Sequence, residues 1–159
     1  MKEISISKYS YDQLSHIDEY IEGDNLQIAS FLTRSVISSY CDNPSNVDKN
    51  KTALLLALQS DLIVGRYLLI RTRIKKNDNI LDACSPVSFE VHESMRGKGI
   101  GSYLQEEALS LKEAPIYLFS LLSPSYNRMI RKPKYGCTVF DFPELCKLRN
   151  ISSALEVRG

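Results

Sequence analysis

The spacing of hydrophobic and polar positions changes several times along the chain, and each change marks an element. In "EISISKY" Ile4 and Ile6 alternate with serines, the two-residue period of a short strand. Ser10 followed by Gln13 has capping-box spacing, and Leu14, Ile17 and Ile21 then recur on one helical face until Gly23 stops it. Asp24 or Asn25 can cap a second helix, whose apolar stripe is Ile28, Phe31, Leu32 and Val36 and whose end falls near Cys41. The polar, proline-bearing "DNPSNVDKNK" reads as a loop, too short to link two domains.

A denser apolar pattern follows. "TALLLAL", a turn at Ser60 and Asp61, and "LIVGRYLLIRTRI" predict an antiparallel hairpin in which Gly65 marks a bulge or a close packing contact. After a turn at "KKNDN", the run "ILDACSPVSFEV" predicts another strand, with Val87, Phe89 and Val91 on one face and Ser88, Glu90 and His92 on the other. Pro86 lacks an N–H and cannot serve a fully paired ladder, so a bulge or a splay is expected beside it. Ile100, Leu104, Ala108 and Leu111 then form the apolar stripe of a helix, with Gln105, Glu106 and Glu107 mostly outside.

Composition narrows the classes. A chain of 159 residues, 43% hydrophobic, with nine tyrosines and five phenylalanines, suits one domain spanning 1–159 with a substantial core. Twenty basic residues against nineteen acidic ones are scattered, which argues against a nucleic-acid partner. No apolar run approaches the roughly 20 residues that a bilayer demands, and the N-terminus has no h-region. Four cysteines, Cys41, Cys84, Cys137 and Cys146, form no C-x-x-C pair and fit a reduced, cytoplasmic protein. No metal site is indicated.

Between the last strand and its helix stands "MRGKGIG", three glycines in seven residues. A strand, a glycine turn and a helix start bring together unpaired N–H groups and the positive end of a helix dipole, the chemistry of an anion site. The same glycines also suffice for a tight turn. The spacing is neither that of a P-loop nor the G-x-G-x-x-G of a dinucleotide fold.

Arg96, Gly99 and Gly101 fill the pattern Q/R-x-x-G-x-G/A. Over "FEVHESMRGKGIGSYLQEEAL" the chain resembles the acyl-coenzyme A motif of the GCN5-related N-acetyltransferase (GNAT) superfamily. The order of elements, continuing through "PIYLFSLL", "SYNRMIRK" and "KYGCTVF", is similar to that family's across nearly the whole chain. The resemblance implies an α/β (α+β) fold with a mixed, mostly antiparallel sheet of about six to seven strands and about four flanking helices. Its motif strand and the next strand would diverge in a V that takes the pantetheine arm. It further implies acetyl-CoA as co-substrate and an amine acceptor, a small molecule or a protein amino group. Main-chain groups of Phe89, Glu90 and Val91 would pair with pantetheine and polarise the thioester. The N–H groups of Gly97, Lys98, Gly99, Ile100, Gly101 and Ser102 would hold the pyrophosphate, with Arg96 adding charge or anchoring the loop.

Acyl transfer to an amine wants a base and an acid. Glu90 is the first candidate base, a mid-strand carboxylate on a sheet covered on both faces, with His92 and Asp82 as alternatives. The second family signature departs from pattern: counted back from Gly136, the usual acid tyrosine falls on Lys132, the asparagine on Ser125 and the phenylalanine on Cys137. Tyr126 or Tyr135 would then act as the acid, Asn127 would replace the asparagine on the cofactor, and Lys132 could stabilise the thiolate. Without that tyrosine, a noncatalytic acyl-CoA-binding or regulatory module is the alternative. Acidic residues Asp12, Asp18, Glu19, Glu22 and Asp24 suit a cationic acceptor or a solvated helix face equally. In the tail "PELCKLRNISSALEVRG" a last strand could pair within the monomer or with a second copy, making a homodimer.

Overall fold

Strand pairing dominates the architecture, because the most apolar segments are consecutive in sequence and short turns bring each beside the last. The computed structural model describes residues 3–17, 34–43, 48–60, 62–76 and 78–118, all within the first of two compact units, Met1–Ser120. Strands β1 (Ile4–Ser10), β2 (Thr52–Gln59), β3 (Leu62–Lys76) and β4 (Asn79–Val91) lie side by side as antiparallel neighbours, and β5 (Ile116–Tyr117) adds parallel to β4. Helix α1 (Tyr11–Ser15) follows β1, α2 (Arg34–Cys41) precedes β2, and α3 (Ile100–Ser110) lies between β4 and β5. The later strands and helix expected to complete a sheet of six or seven strands fall outside the described residues.

The capping box forms in both directions. Ser10 Oγ accepts the Gln13 N–H at 3.2 Å, and Gln13 Oε1 accepts the Ser10 N–H at 2.9 Å. The helix itself closes at Ser15, earlier than the stripe suggests, although Leu14 and Ile17 are both buried. Ile21, Gly23 and the capping residues of the next helix lie outside the described residues. Helix α2 ends at Cys41, as expected.

β2 is apolar on both faces because both are covered. On one side Leu54, Leu56, Ile63 and Leu68 pack with Tyr11, Leu14, Ile17 and Ile37. On the other, Ile100, Leu104 and Ala108 of α3 press onto the sheet above Gly65. A Cβ at Gly65 would stand 3.2 Å from both Ile100 Cγ2 and Leu104 Cδ1, so the helix can approach only because that side chain is absent. The register also shifts there, with Ala57 opposite Gly65 and Leu58 opposite Ile63, leaving Val64 as an extra residue. Both readings of Gly65 therefore hold.

Gln105 corrects the expected helix face: it is completely buried, and its Oε1 accepts a hydrogen bond from Tyr67 Oη at 2.5 Å. The stripe resting on the sheet is wide enough to include position 105, and the phenol beneath it needs an acceptor. Among the described residues Gln105 Nε2 has no partner.

β3 outruns β2, whose pairing with it stops at Leu54 opposite Leu68. Side chains then serve the bare main chain. Tyr11 Oη donates to the Leu69 carbonyl at 2.6 Å and accepts the Arg71 N–H at 3.0 Å, and Asn43 Nδ2 donates to the Arg71 carbonyl at 3.2 Å. Burial pushes the Tyr11 phenol well above its ordinary range, so it stays protonated in this bridging role. Arg71, also buried, pairs with Glu113 and donates to the Thr52 carbonyl at 3.2 Å. Glu113 in turn accepts the Thr52 N–H at 3.0 Å and the Thr52 hydroxyl at 2.8 Å. One carboxylate thus ties the segment after α3 to the start of β2 and the middle of β3.

Two expectations follow. Glu113→Ala strips Arg71 of its counter-charge inside the protein and should lower the unfolding free energy by about 3 kcal/mol; urea titration checks this, and a change below about 1 kcal/mol would show the pair to be dispensable. Burial raises the thiols of Cys41 and Cys84, the latter to about 11, and both are free. In the native protein at mildly alkaline pH they should resist alkylation that they accept rapidly once unfolded, as peptide mass spectrometry would read at each position.

Candidate functional site

The C-terminal half of β4 departs from a regular strand in two places. The first is at Pro86. β5 pairs with β4 at Ala83–Ile116 and Cys84–Tyr117, and the Leu118 N–H donates to the Cys84 carbonyl at 2.8 Å. The next rung of a parallel ladder would run from the N–H of residue 86 to the Leu118 carbonyl. Proline has no N–H, and the Ser85 hydroxyl donates to that carbonyl instead, at 3.2 Å. The proline thus removes one rung of the β4–β5 ladder, as expected from the sequence, and the residues that would show a splay beyond it lie outside the described residues.

The second departure is a bulge. Leu68 faces Val87 but Arg66 faces Glu90, so Ser88 and Phe89 together stand opposite Tyr67. Ser88 takes the extra turn with φ of +47°. The bulge corrects the predicted alternation. Val87 packs with Leu68 into the core on the α1–α2 side, whereas Phe89 sets its ring edge-on to Tyr67 on the α3 side, centroids 4.9 Å apart at 69°. Val91, opposite Gly65, shares the α3 side with Phe89; Glu90 falls on the side of Val87.

Ladder geometry divides the three residues expected to offer main-chain groups. The His92 N–H donates to the Val64 carbonyl at 2.9 Å, and Glu90 is paired with Arg66. Alternation then turns the N–H and C=O of Phe89 and Val91 away from β3, towards the β5 side of the strand. The main chain of Glu90 faces β3, so Glu90 offers the site only its side chain. Arg96 Nε donates to the Val91 carbonyl at 3.3 Å, which fixes the arginine as an anchor of the loop.

From there a 3-10 turn, Glu93–Met95, buries Met95 and leads into the glycines. Gly97 and Gly99 have φ of +76° and +84°, angles at which an L side chain is strained. A Cβ at either would meet nothing within 4 Å, so backbone conformation rather than crowding demands glycine. Gly99 is the N-cap of α3 without a side-chain cap, and the first helical bond is from the Tyr103 N–H to the Gly99 carbonyl at 3.0 Å. The N–H groups of Ile100, Gly101 and Ser102 therefore have no intrahelical acceptor, and the neighbouring Lys98 directs its ammonium to Met95 Sδ at 3.4 Å.

Glu90 is half exposed, and its Oε2 lies 2.5 Å from Nη2 of Arg66, a largely buried guanidinium. Burial draws Arg66 down to about 10, opposed by the charge of Glu90. The other candidate bases stand apart from this pair. His92 is exposed, its Nδ1 2.8 Å from Ser94 Oγ. Asp82, exposed and opposite Arg73, is eight residues up the strand, roughly 25 Å away at strand rise. Tyr126, Asn127, Lys132 and Tyr135 lie outside the described residues. Arg66 escaped the sequence reading, because at the register of Leu68 and Val87 it would have faced Phe89; only the bulge brings it to Glu90. The signal available was its place as the one charge inside "LIVGRYLLI".

No protein-family model matches the sequence, and no curated protein does. Solved structures do. Glucosamine-6-phosphate N-acetyltransferase from Arabidopsis thaliana superposes with a TM-score of 0.59 at 12% identity, covering 88% of this chain and 95% of that one. An acetyltransferase from Trypanosoma brucei gives 0.55 at 14%, with 87% and 95% covered. A GNAT family acetyltransferase from Staphylococcus aureus gives 0.52 at 11%, with 89% and 95% covered. The chain has the GNAT fold. Within that fold, the C-terminal half of β4 and the glycine loop occupy consecutive positions on one strand–turn–helix unit. No helix among the described residues is long and apolar enough to cross a membrane.

The Ser85 substitution for a missing amide is open to test. Ser85→Ala should destabilise by about 0.5–1 kcal/mol in the natural background and by almost nothing once Pro86→Ala restores the N–H. Equal costs in both backgrounds, measured by thermal unfolding, would mean that the hydroxyl does not stand in for the rung.

Proposed function

We propose that the protein is an N-acetyltransferase that moves an acetyl group from acetyl-CoA to a primary amine, on a small molecule or a protein. The observation that carries this reading is the continuity of two features: a strand that loses a ladder rung at Pro86, running directly into a glycine loop and an uncapped helix N-terminus. The residues present fit the cofactor. Main-chain groups of Phe89 and the N–H of Val91 point away from β3, towards the side from which an amide-bearing arm would approach. The N–H groups of Gly99, Ile100, Gly101 and Ser102 suit a pyrophosphate, with open space over Gly97 and Gly99 and the charge of Lys98 at hand. Acetyl-CoA, when bound, supplies a thioester whose acyl carbon accepts the amine nitrogen as the carbon–sulfur bond breaks and the thiol leaves with a proton.

The chain's own contribution begins with the acceptor, which must lose a proton to attack. Glu90 is the carboxylate placed to take it, reaching out from β4 on the face opposite Phe89. Its ion pair with Arg66 also supports a second reading, in which the carboxylate is spent on structure and the domain binds acyl-CoA without turning it over.

Calorimetric titration with acetyl-CoA, with dephosphorylated pantetheine as the control, separates these from a purely structural loop. Micromolar binding that requires the phosphates is expected. No heat at millimolar ligand would sink both readings. Gly99→Val, which forces a β-branched residue into φ of +84°, should weaken that binding more than tenfold, beyond the loss of several degrees in melting temperature that the strained backbone itself costs. In a thiol-release assay over a panel of amines, Glu90→Gln should lower kcat by about 10²–10⁴-fold with cofactor affinity intact; unchanged turnover would remove Glu90 from the chemistry.

A further inference from the structure

The Arg66–Glu90 pair sits where stability alone gives little reason for it. Glu90 is half exposed, with 49% of its side-chain surface accessible, so its attraction to Arg66 is screened by water. Arg66 has only 12% accessible, so its own desolvation opposes folding. An apolar residue opposite Leu56, on a face already lined by Leu54 and Leu68, would pack there at less cost. The pair nevertheless exists, directly beyond the bulge at Ser88 and Phe89.

Its geometry is unequal at the two ends. The guanidinium is set into the wall of the sheet, while the carboxylate reaches towards solvent. Nη2 of Arg66 holds Oε2; among the described residues Oε1 of Glu90 takes no hydrogen bond. The carboxylate is thus gripped by one oxygen and presents the other. It also lies between Phe89 and Val91, the two residues whose main-chain groups turn away from β3.

We propose that Arg66 is a positioning residue for Glu90: by fixing one carboxylate oxygen it aims the other at the N–H of the acceptor amine. The inference rests on the acetyl-transfer reading above. In this role Arg66 acts on the reaction through Glu90. The acceptor favoured by such an arrangement is a cationic amine, which meets a localised negative oxygen rather than a freely rotating carboxylate.

The experiment is a comparison of Arg66→Gln, Arg66→Lys, Glu90→Gln and the Arg66→Gln/Glu90→Gln double variant in the thiol-release assay with a productive amine. Acetyl-CoA affinity by calorimetry and the melting temperature are measured alongside. Arg66→Gln should lower kcat by ten- to a hundredfold, the range expected when a catalytic group is held but misaimed, with acetyl-CoA affinity unchanged. Arg66→Lys, which keeps a cation in place and guards against a folding artefact, should recover a substantial part of the loss. In the Glu90→Gln background, removing Arg66 should cost nothing further. Retention of kcat in Arg66→Gln, or losses that multiply independently in the double variant, would overturn the positioning role while leaving the transfer reading standing. A natural protein that binds acetyl-CoA and turns over no amine would overturn the transfer reading, and this inference with it.

Discussion

A sheet covered on both faces tolerates few unpaired backbone amides and carbonyls, and this constraint organises the described part of the molecule. The β3–β4 hairpin is longer than its neighbours, so it carries more main-chain groups than β2 and β5 can serve. Wherever the ladder fails, a side chain takes over. Tyr11 and Asn43 satisfy β3 beyond β2, Ser85 answers the Leu118 carbonyl at Pro86, and Arg96 takes the carbonyl of Val91. Each substitution fixes an otherwise separate element: a helix start, a loop, a strand end and the glycine turn. Packing then follows these ties, with α3 seated over Gly65 and anchored beyond its C-terminus by Glu113.

The same accounting explains why the candidate site lies at the end of β4. A strand side turned away from its ladder partner offers directional hydrogen-bonding groups, and a helix start without a side-chain cap offers three more. These are ordinarily liabilities. Placed in succession, they form a continuous line of donors and acceptors that a flexible, phosphate-bearing molecule can follow. Alternation after the bulge puts a carboxylate on the opposite face from Phe89, so that recognition and proton chemistry draw on different faces of one strand.

Features that depend on near neighbours in sequence were legible. Ser10 and Gln13 announce the capping box three residues apart, Gly65 announces a close approach, and Pro86 announces a missing donor. Gly97 and Gly99 were legible as a turn, though the physical requirement proves to be their positive φ rather than tight quarters. What escaped depends on register between strands. The faces of Val87 and Phe89, and the meeting of Arg66 with Glu90, turn on one bulged residue that no local pattern marks, since serine is unremarkable in a strand. Gln105 was misjudged for a related reason: helical periodicity assigns a direction, while the depth of the sheet beneath decides how broad the buried face becomes.

Ser88 adds bend rather than pairing. Were it absent, the strand could run regularly with Val87 still opposite Leu68 and Glu90 still opposite Arg66. What the additional residue supplies is curvature, because a bulged strand bends and twists more sharply than its partner. Shape and contact are therefore encoded separately in this stretch, the contacts by residue identity and the bend by residue count. A lineage could straighten or sharpen this corner through a single codon insertion or deletion, leaving every partner in place, so chain length becomes a means of adjusting how the strand end meets whatever docks beside it.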